Sequence, residues 1–338
     1  MKLICEPASI AGIPLLAIYP DGVQRAPIVF ILHGFGGGKL DGLELAYRFA
    51  SRGLFAVAFD APHHGERSDG AFEAFDDPQR CDYHVESGFD RYMFMHRVVV
   101  ETGRDLAALL DHFSRDARVA IDRCGVTGIS MGAFSTFYAA ANEPRVAAAA
   151  PIIGLPAFAE RWEDALLEAS TYVQWRDQLD AARPAFQRDT RFVQSIDPMQ
   201  KLRDFYPRPL FMLCGDQDTH QPKVYSLHLY RQLLPVYAAQ PERLLMKIYD
   251  GGRPQRHRGD DGRCGRVVRQ GSGKLIAGAA AYRGGAGECL KQERWRQSLR
   301  PRPIRCDPGR SMPRTAADGG AGQASAWLRW PDRAAGSR

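Results

Sequence analysis

The chain has 338 residues, 45% hydrophobic and 25% charged, a mixture that excludes a collagen, a coiled coil and a wholly disordered polymer. No apolar run is long enough to span a membrane, and Met1-Lys2-Leu3-Ile4-Cys5-Glu6 places an acid where a signal peptide needs apolar residues. The net charge of +6 conceals a seam after Asp250: residues 251–338 hold 19 Lys and Arg against 7 Asp and Glu, whereas residues 1–250 hold 26 against 32.

The body reads as alternating strands and helices. Ile13–Tyr19 is an apolar run ending at the turn Pro20-Asp21-Gly22, and Pro27–Leu32 is a buried strand ending at His33-Gly34. Leu43–Arg52 has helical spacing and closes at Gly53. Leu54–Phe59 is a second buried strand, ending at Asp60. Tyr92–Phe113 is a long amphipathic helix, Val119–Val126 a third buried strand, and Ala133–Ala141 a helix of small residues. Val146–Ile153, Pro209–Cys214 and Leu244–Tyr249 are further strands, with a helix over Val224–Tyr237. Continuous apolar strands alternating with helices predict a parallel sheet covered on both faces. Residues 155–205 break the rhythm and predict a helical insertion, either a small lid or a pair of surface helices.

Four chemically distinctive clusters directly follow strands, where ligands bind in such sheets. Gly128-Ile129-Ser130-Met131-Gly132 fits G-x-S-x-G between a strand and a helix. A sharp turn there needs glycines on either side, lifts the serine above the sheet, and aims the Met131 N–H at a developing oxyanion. His33-Gly34-Phe35-Gly36-Gly37-Gly38 can bring a second N–H, that of Phe35, to the same oxyanion. His33 itself is expected to orient its loop, and the lysine-serine pair of a phosphate-binding loop is absent. In Gly215-Asp216-Gln217-Asp218, Asp216 is expected to cap the turn and Asp218 to orient a histidine. Asp60-Ala61-Pro62-His63-His64-Gly65-Glu66-Arg67 offers adjacent histidines but no metal-ligand spacing, and is expected to shape the site through hydrogen bonds. His84, His96, His112 and His228 lack partner spacing and are expected to be solvated or satisfied. Seven cysteines without a CxxC pair predict free thiols in a reducing cytoplasm.

These residues resemble the α/β-hydrolase superfamily over about residues 10–250. The nearest likeness is to small bacterial esterases, neighbours of dienelactone hydrolases and of the prolyl oligopeptidase catalytic domain. The resemblance rests on His33-Gly34-Phe35-Gly36, Asp60-Ala61-Pro62-His63-His64-Gly65, Gly128-Ile129-Ser130-Met131-Gly132 and Gly215-Asp216-Gln217-Asp218. It implies a mostly parallel sheet with helices on both faces, Ser130 as nucleophile, Asp218 as acid, and the Phe35 and Met131 N–H groups as oxyanion hole.

The departure comes at the histidine, which the family places in a Gly-x-Gly-His stretch after the last strand. Here Leu244–Tyr249 runs into Asp250-Gly251-Gly252-Arg253-Pro254-Gln255-Arg256-His257, at the compositional seam. The codons of Gly252 onward, read one base later, permit Val-Gly-His after Gly251. A frame slip would account for both the lost pattern and a tail with 16 of the 33 glycines and only 8 of Leu, Ile, Val or Phe. A tail that poor in apolar groups cannot offset its ordering entropy. As written, His257 is the sole histidine after the last strand.

The sequence therefore predicts a catalytic domain over 1–250, with a basic tail over 251–338 that is disordered or out of frame. The expected activity is a Ser130–His257–Asp218 esterase acting on a small ester, without cofactor, metal, nucleic acid or membrane. The alternatives are a catalytically inactive relic or binding protein on the same fold, or a peptidase, thioesterase or lactonase. A nucleic-acid-binding tail would instead need clustered basic and aromatic residues, and its arginines are scattered. Oligomeric state is not legible.

Overall fold

The computed structural model describes residues 1–71, 85–171, 183–218 and 220–250. His84, His257 and the segment 251–338 lie outside them. Eight strands form one sheet: β1 (Leu3–Ile10), β2 (Ile13–Pro20), β3 (Ala26–Leu32), β4 (Phe55–Phe59), β5 (Val119–Ile129), β6 (Val146–Ile152), β7 (Leu210–Gly215) and β8 (Leu244–Tyr249). Their spatial order is β1-β2-β4-β3-β5-β6-β7-β8. β1 pairs antiparallel with β2 and β2 antiparallel with β4, and all other pairings are parallel.

The central strands are continuous apolar runs because helices cover both faces. Every residue of β4 is buried, and Ile28 and Phe30 of β3 are wholly enclosed. The helices are α1 (Leu43–Ala50), α2 (Val85–Phe113), α3 (Met131–Asn142), α4 (Phe158–Ser170), α5 (Arg183–Ile196) and α6 (Lys223–Leu233). Leu106, Leu109, Leu110 and Phe113 of α2 pack on Phe30, Phe55 and Phe59. α3 is flanked by sheet and α2, which is why its small and aromatic residues are buried almost all round.

The structure corrects several expectations. β1 is an additional strand; its half-exposed, Pro7-containing sequence lacks the continuous apolar signature because it lies at the sheet edge. α2 begins at Val85 rather than Tyr92. The irregular stretch 155–205 contains α4, α5 and a 3-10 helical segment, Pro198–Phe205. Trp162 of α4 is fully buried and donates its indole N–H to Thr190 Oγ1 at 2.8 Å. The buried Asp197 carboxylate accepts the N–H groups of Phe158, Ala159 and Met199, joining the start of α4 to the segment after α5. Tyr225 and His228 of α6 bond Asp164 and Glu160 of α4 at 2.7 and 2.6 Å. The described part of the insertion is therefore tied into the body. No helix among the described residues is long and apolar enough to cross a membrane.

Candidate active site

Ser130 occupies the turn between β5 and α3, with φ 54° and ψ −116°. A left-handed φ is costly for a residue with a Cβ and persists only where the surroundings impose it. Its N–H donates to Ile152 O at 3.1 Å, and its carbonyl accepts the N–H groups of Ala133 and Phe134. The glycines on either side are needed for space. A Cβ on Gly128 would lie 2.4 Å from Gly132 O, and one on Gly132 would lie 2.2 Å from Leu32 O. The Ser130 side chain does not cap α3, so its oxygen is not spent on the helix. Met131 opens that helix, where the first N–H groups have no intrahelical acceptor and the dipole favours negative charge.

The loop after β3 runs alongside. A Cβ built on Gly34 would lie 3.7 Å from the Ser130 Cβ, which places the start of the glycine-rich loop against the serine. The Phe35 ring packs edge-on against His64 and Phe94, with ring centres 5.5 and 6.1 Å away. The Arg91 guanidinium lies 5.1 Å from its centre. His33 is buried and both of its ring nitrogens are engaged. Ala61 N–H donates to Nε2 at 2.9 Å, so Nε2 carries no proton and Nδ1–H donates to Gly34 O at 2.8 Å. Burial pushes its pKa below the ordinary histidine value. His33 thus orients the loop as a neutral ring.

Ser130 and Asp218 leave the same end of the sheet. Ile129, Ile152, Leu213 and Lys247 are register neighbours across parallel β5, β6, β7 and β8. Asp218 follows β7, two strands from β5, a lateral separation of about 10 Å. The chain after Tyr249 starts at that same end, beside β7. His257, the expected third member, lies outside the described residues.

The acidic loop departs from expectation in one respect. Asp218, rather than Asp216, organises the turn: its Oδ1 accepts the N–H groups of His220 and Gln221 at 2.9 and 2.8 Å. Asp216 instead has a buried Oδ1 without a hydrogen-bond partner. His96 is a second correction. It is fully buried among Tyr92, Phe134 and Phe158, with Nδ1 on the Tyr92 carbonyl at 2.8 Å and Nε2 buried without a partner. Desolvation drives its pKa down to about 4. His228 is bonded to Glu160, and His112 is exposed.

Sequence reasoning singled out the Asp60 loop but missed its partner, Lys39. Asp60 is wholly buried and accepts Lys39 N at 2.7 Å, Lys39 Nζ at 2.6 Å and Glu66 N at 3.1 Å. Burial opposes its charge, but these donors outweigh it and hold the carboxyl below its ordinary pKa. Among the described residues, no group of three or more His, Cys, Asp or Glu side chains is arranged to hold a metal.

A mostly parallel eight-stranded sheet that presents a strained serine where its fifth strand meets a helix is the architecture of the α/β-hydrolases. Within that class the match is specific. The dienelactone hydrolase family model fits residues 13–233, and the chain belongs to that family of hydrolases. The chain is 25% identical over 242 residues to YitV of Bacillus subtilis, covering 71% of this chain and 88% of that protein. It is 25% identical over 230 residues to Esterase YjfP of Escherichia coli, covering 68% and 84%. In fold it is similar to TT1662 from Thermus thermophilus, with a TM-score of 0.54, 22% identity and coverage of 75% of this chain and 91% of that one. It is also similar to the Pyrococcus horikoshii acylaminoacyl peptidase, with a TM-score of 0.52, 16% identity and coverage of 75% and 38%.

Proposed function

We propose that the chain is a serine esterase that cleaves a small carboxylic ester through an acyl-enzyme. Ser130 Oγ attacks the carbonyl carbon while a histidine accepts its proton. The Phe35 and Met131 N–H groups receive the negative charge on the former carbonyl oxygen. The tetrahedral centre collapses, and the alcohol leaves with the proton that the histidine returns. Water then repeats the sequence on the acyl-serine and frees the acid. Asp218 accepts a hydrogen bond from the histidine ring and so keeps it in the required tautomer. The observation that carries this reading is the backbone of Ser130, held at φ 54° beside the Gly34 loop. The esterase name of YjfP supports the ester class. Cys5, Cys124 and Cys214 are free thiols, which fits a reducing compartment such as the cytoplasm.

The second reading is a relic that keeps the elbow but lacks an effective base. It is favoured by the departure from Gly-x-Gly-His after Tyr249 and by the compositional seam there. We infer that residues 251–338 are read out of frame and that residues 1–250 are the catalytic body.

Hydrolysis of a short-chain p-nitrophenyl ester decides between these readings, measured on the chain as written and on one shifted by one base after Gly251. Turnover by the shifted chain alone supports the esterase and marks this chain as its damaged copy. Turnover by both makes His257 or another histidine the base. Turnover by neither, with no labelling of Ser130 by a fluorophosphonate, overturns the esterase reading.

A further inference from the structure

The loop from His33 to Lys39 is built to be soft. Four of its seven residues are glycine, and Gly36 sits at φ 77°. Glycine loses more conformational freedom on ordering than any other residue, so such a loop holds a fixed shape only if something outside it imposes one. Within the loop, Gly37 N–H donates to Gly34 O at 3.0 Å. Gly38 N–H donates to Asp41 Oδ2 at 3.0 Å, and two consecutive residues just after β4 hold the two ends of the loop. At the start of the loop, Ala61 N–H donates to His33 Nε2 at 2.9 Å. At its end, the Asp60 carboxylate accepts both the backbone N–H and the side-chain ammonium of Lys39 at 2.7 and 2.6 Å. The loop is an arch with both feet on Asp60-Ala61.

The second foot is unusual in its chemistry. Asp60 is fully buried and the Lys39 side chain is only 10% exposed. A buried ion pair adds little net stability, because the cost of removing two charges from water cancels most of their attraction. Its directional bonds, however, fix geometry. The carboxylate is packed so closely that a Cβ on Gly65 would lie 2.3 Å from Asp60 Oδ1, and one on Gly38 would lie 3.1 Å from it. Lys39 also reaches Glu66 Oε1 at 2.7 Å, which fixes the ammonium from a second side.

We propose that the Asp60–Lys39 pair positions the oxyanion loop, setting the distance of the Phe35 N–H from the oxygen of the carbonyl group that Ser130 attacks. Neither residue is assigned contact with substrate, so both are positioning residues. The catalytic half of this proposal rests on the esterase reading above; the mechanical half does not.

The experiment compares the full chain with Asp60→Asn, Lys39→Met and Lys39→Arg. Asparagine keeps an oxygen for the Lys39 N–H but turns an NH2 group towards the Lys39 ammonium and the Glu66 N–H. In Asp60→Asn, amide hydrogen exchange should quicken about tenfold over residues 34–39, while the amides of β3 and α3 keep their protection. With p-nitrophenyl acetate, kcat should fall about 10- to 100-fold and KM should change less than about threefold, because the lost interaction matters in the transition state. Lys39→Arg should recover more of kcat than Lys39→Met. Unchanged exchange over 34–39 overturns the proposal, as does faster exchange with kcat unaltered. If Asp60→Asn does not fold, the lysine variants decide, and equal kcat in Lys39→Arg and Lys39→Met overturns it. If the unsubstituted chain hydrolyses no ester, the same substitutions are assayed in the chain shifted by one base after Gly251; if that chain is inactive too, the esterase reading fails by itself, and exchange alone judges whether the pair holds the loop.

Discussion

A Cβ added to Gly132 would lie 2.2 Å from the carbonyl oxygen of Leu32, a distance no real side chain tolerates. Both partners are backbone, so neither can rotate away. Gly132→Ala must push α3 off the end of β3 or abandon the turn. We expect a loss of at least about 3 kcal/mol in a urea titration, the range of severe overpacking. A loss under about 1 kcal/mol would show that the elbow relaxes easily and that the glycine is not a steric requirement.

The strain at Ser130 has the opposite signature. Ser130→Gly removes the Cβ from a left-handed residue and should raise stability by about 1 kcal/mol. The same substitution should reduce ester turnover about 10³-fold or more. Denaturation and turnover of this one variant test both halves, and a destabilised Gly variant would contradict the strain.

The two loop aspartates should separate cleanly. Asp218→Asn retains an oxygen for the N–H groups of His220 and Gln221, so the loop should keep its shape. We expect kcat to fall about 10³- to 10⁴-fold from loss of the orienting charge, with little change in melting temperature. Asp216→Asn should leave kcat within about threefold, because the buried Asp216 Oδ1 has no partner to lose. The reverse ranking would move the acid to Asp216.

His96 carries a pH dependence of known sign. Its pKa is about 4 in the fold against an ordinary value of 6.5. The unfolded chain therefore binds a proton first as pH falls. Its contribution to stability is intact above about pH 6.5 and is lost progressively down to about pH 4, by about 3 kcal/mol in all. His96→Phe should flatten urea midpoints across that window. At neutral pH it should cost no more than about 1 kcal/mol, since an unpaired buried acceptor is removed along with the Tyr92 bond. A midpoint that falls equally steeply in the variant would assign the dependence elsewhere.

What the sequence disclosed followed from local rules. The buried strands announced themselves because each is apolar without interruption, and Ser130 because only a glycine-flanked turn fits between strand and helix. β1 was hidden by its edge position, where Glu6, Pro7 and Ser9 interrupt the apolar pattern. The early start of α2 was masked by Ser87-Gly88, which resembles a turn. The role of Asp218 as turn-former was legible in principle, since the N–H groups it accepts lie two and three residues ahead, the spacing of an Asx turn. Lys39 and His96 had no such signal. A lysine beside glycines and a histidine on an amphipathic helix look solvated until tertiary packing buries them.

The supports of the Gly34–Lys39 arch are electrically inert over the range in which such a reaction is assayed. Burial keeps His33 neutral, the donors around Asp60 hold its carboxyl ionised, and although burial opposes the charge of Lys39, its two carboxylate partners hold its pKa above the ordinary value. Protons therefore do not loosen the scaffold between the ordinary histidine value of 6.5 and the ordinary lysine value of 10.5. A rate profile across that interval becomes a clean titration of the proton acceptor itself, and its midpoint would fingerprint whichever histidine serves.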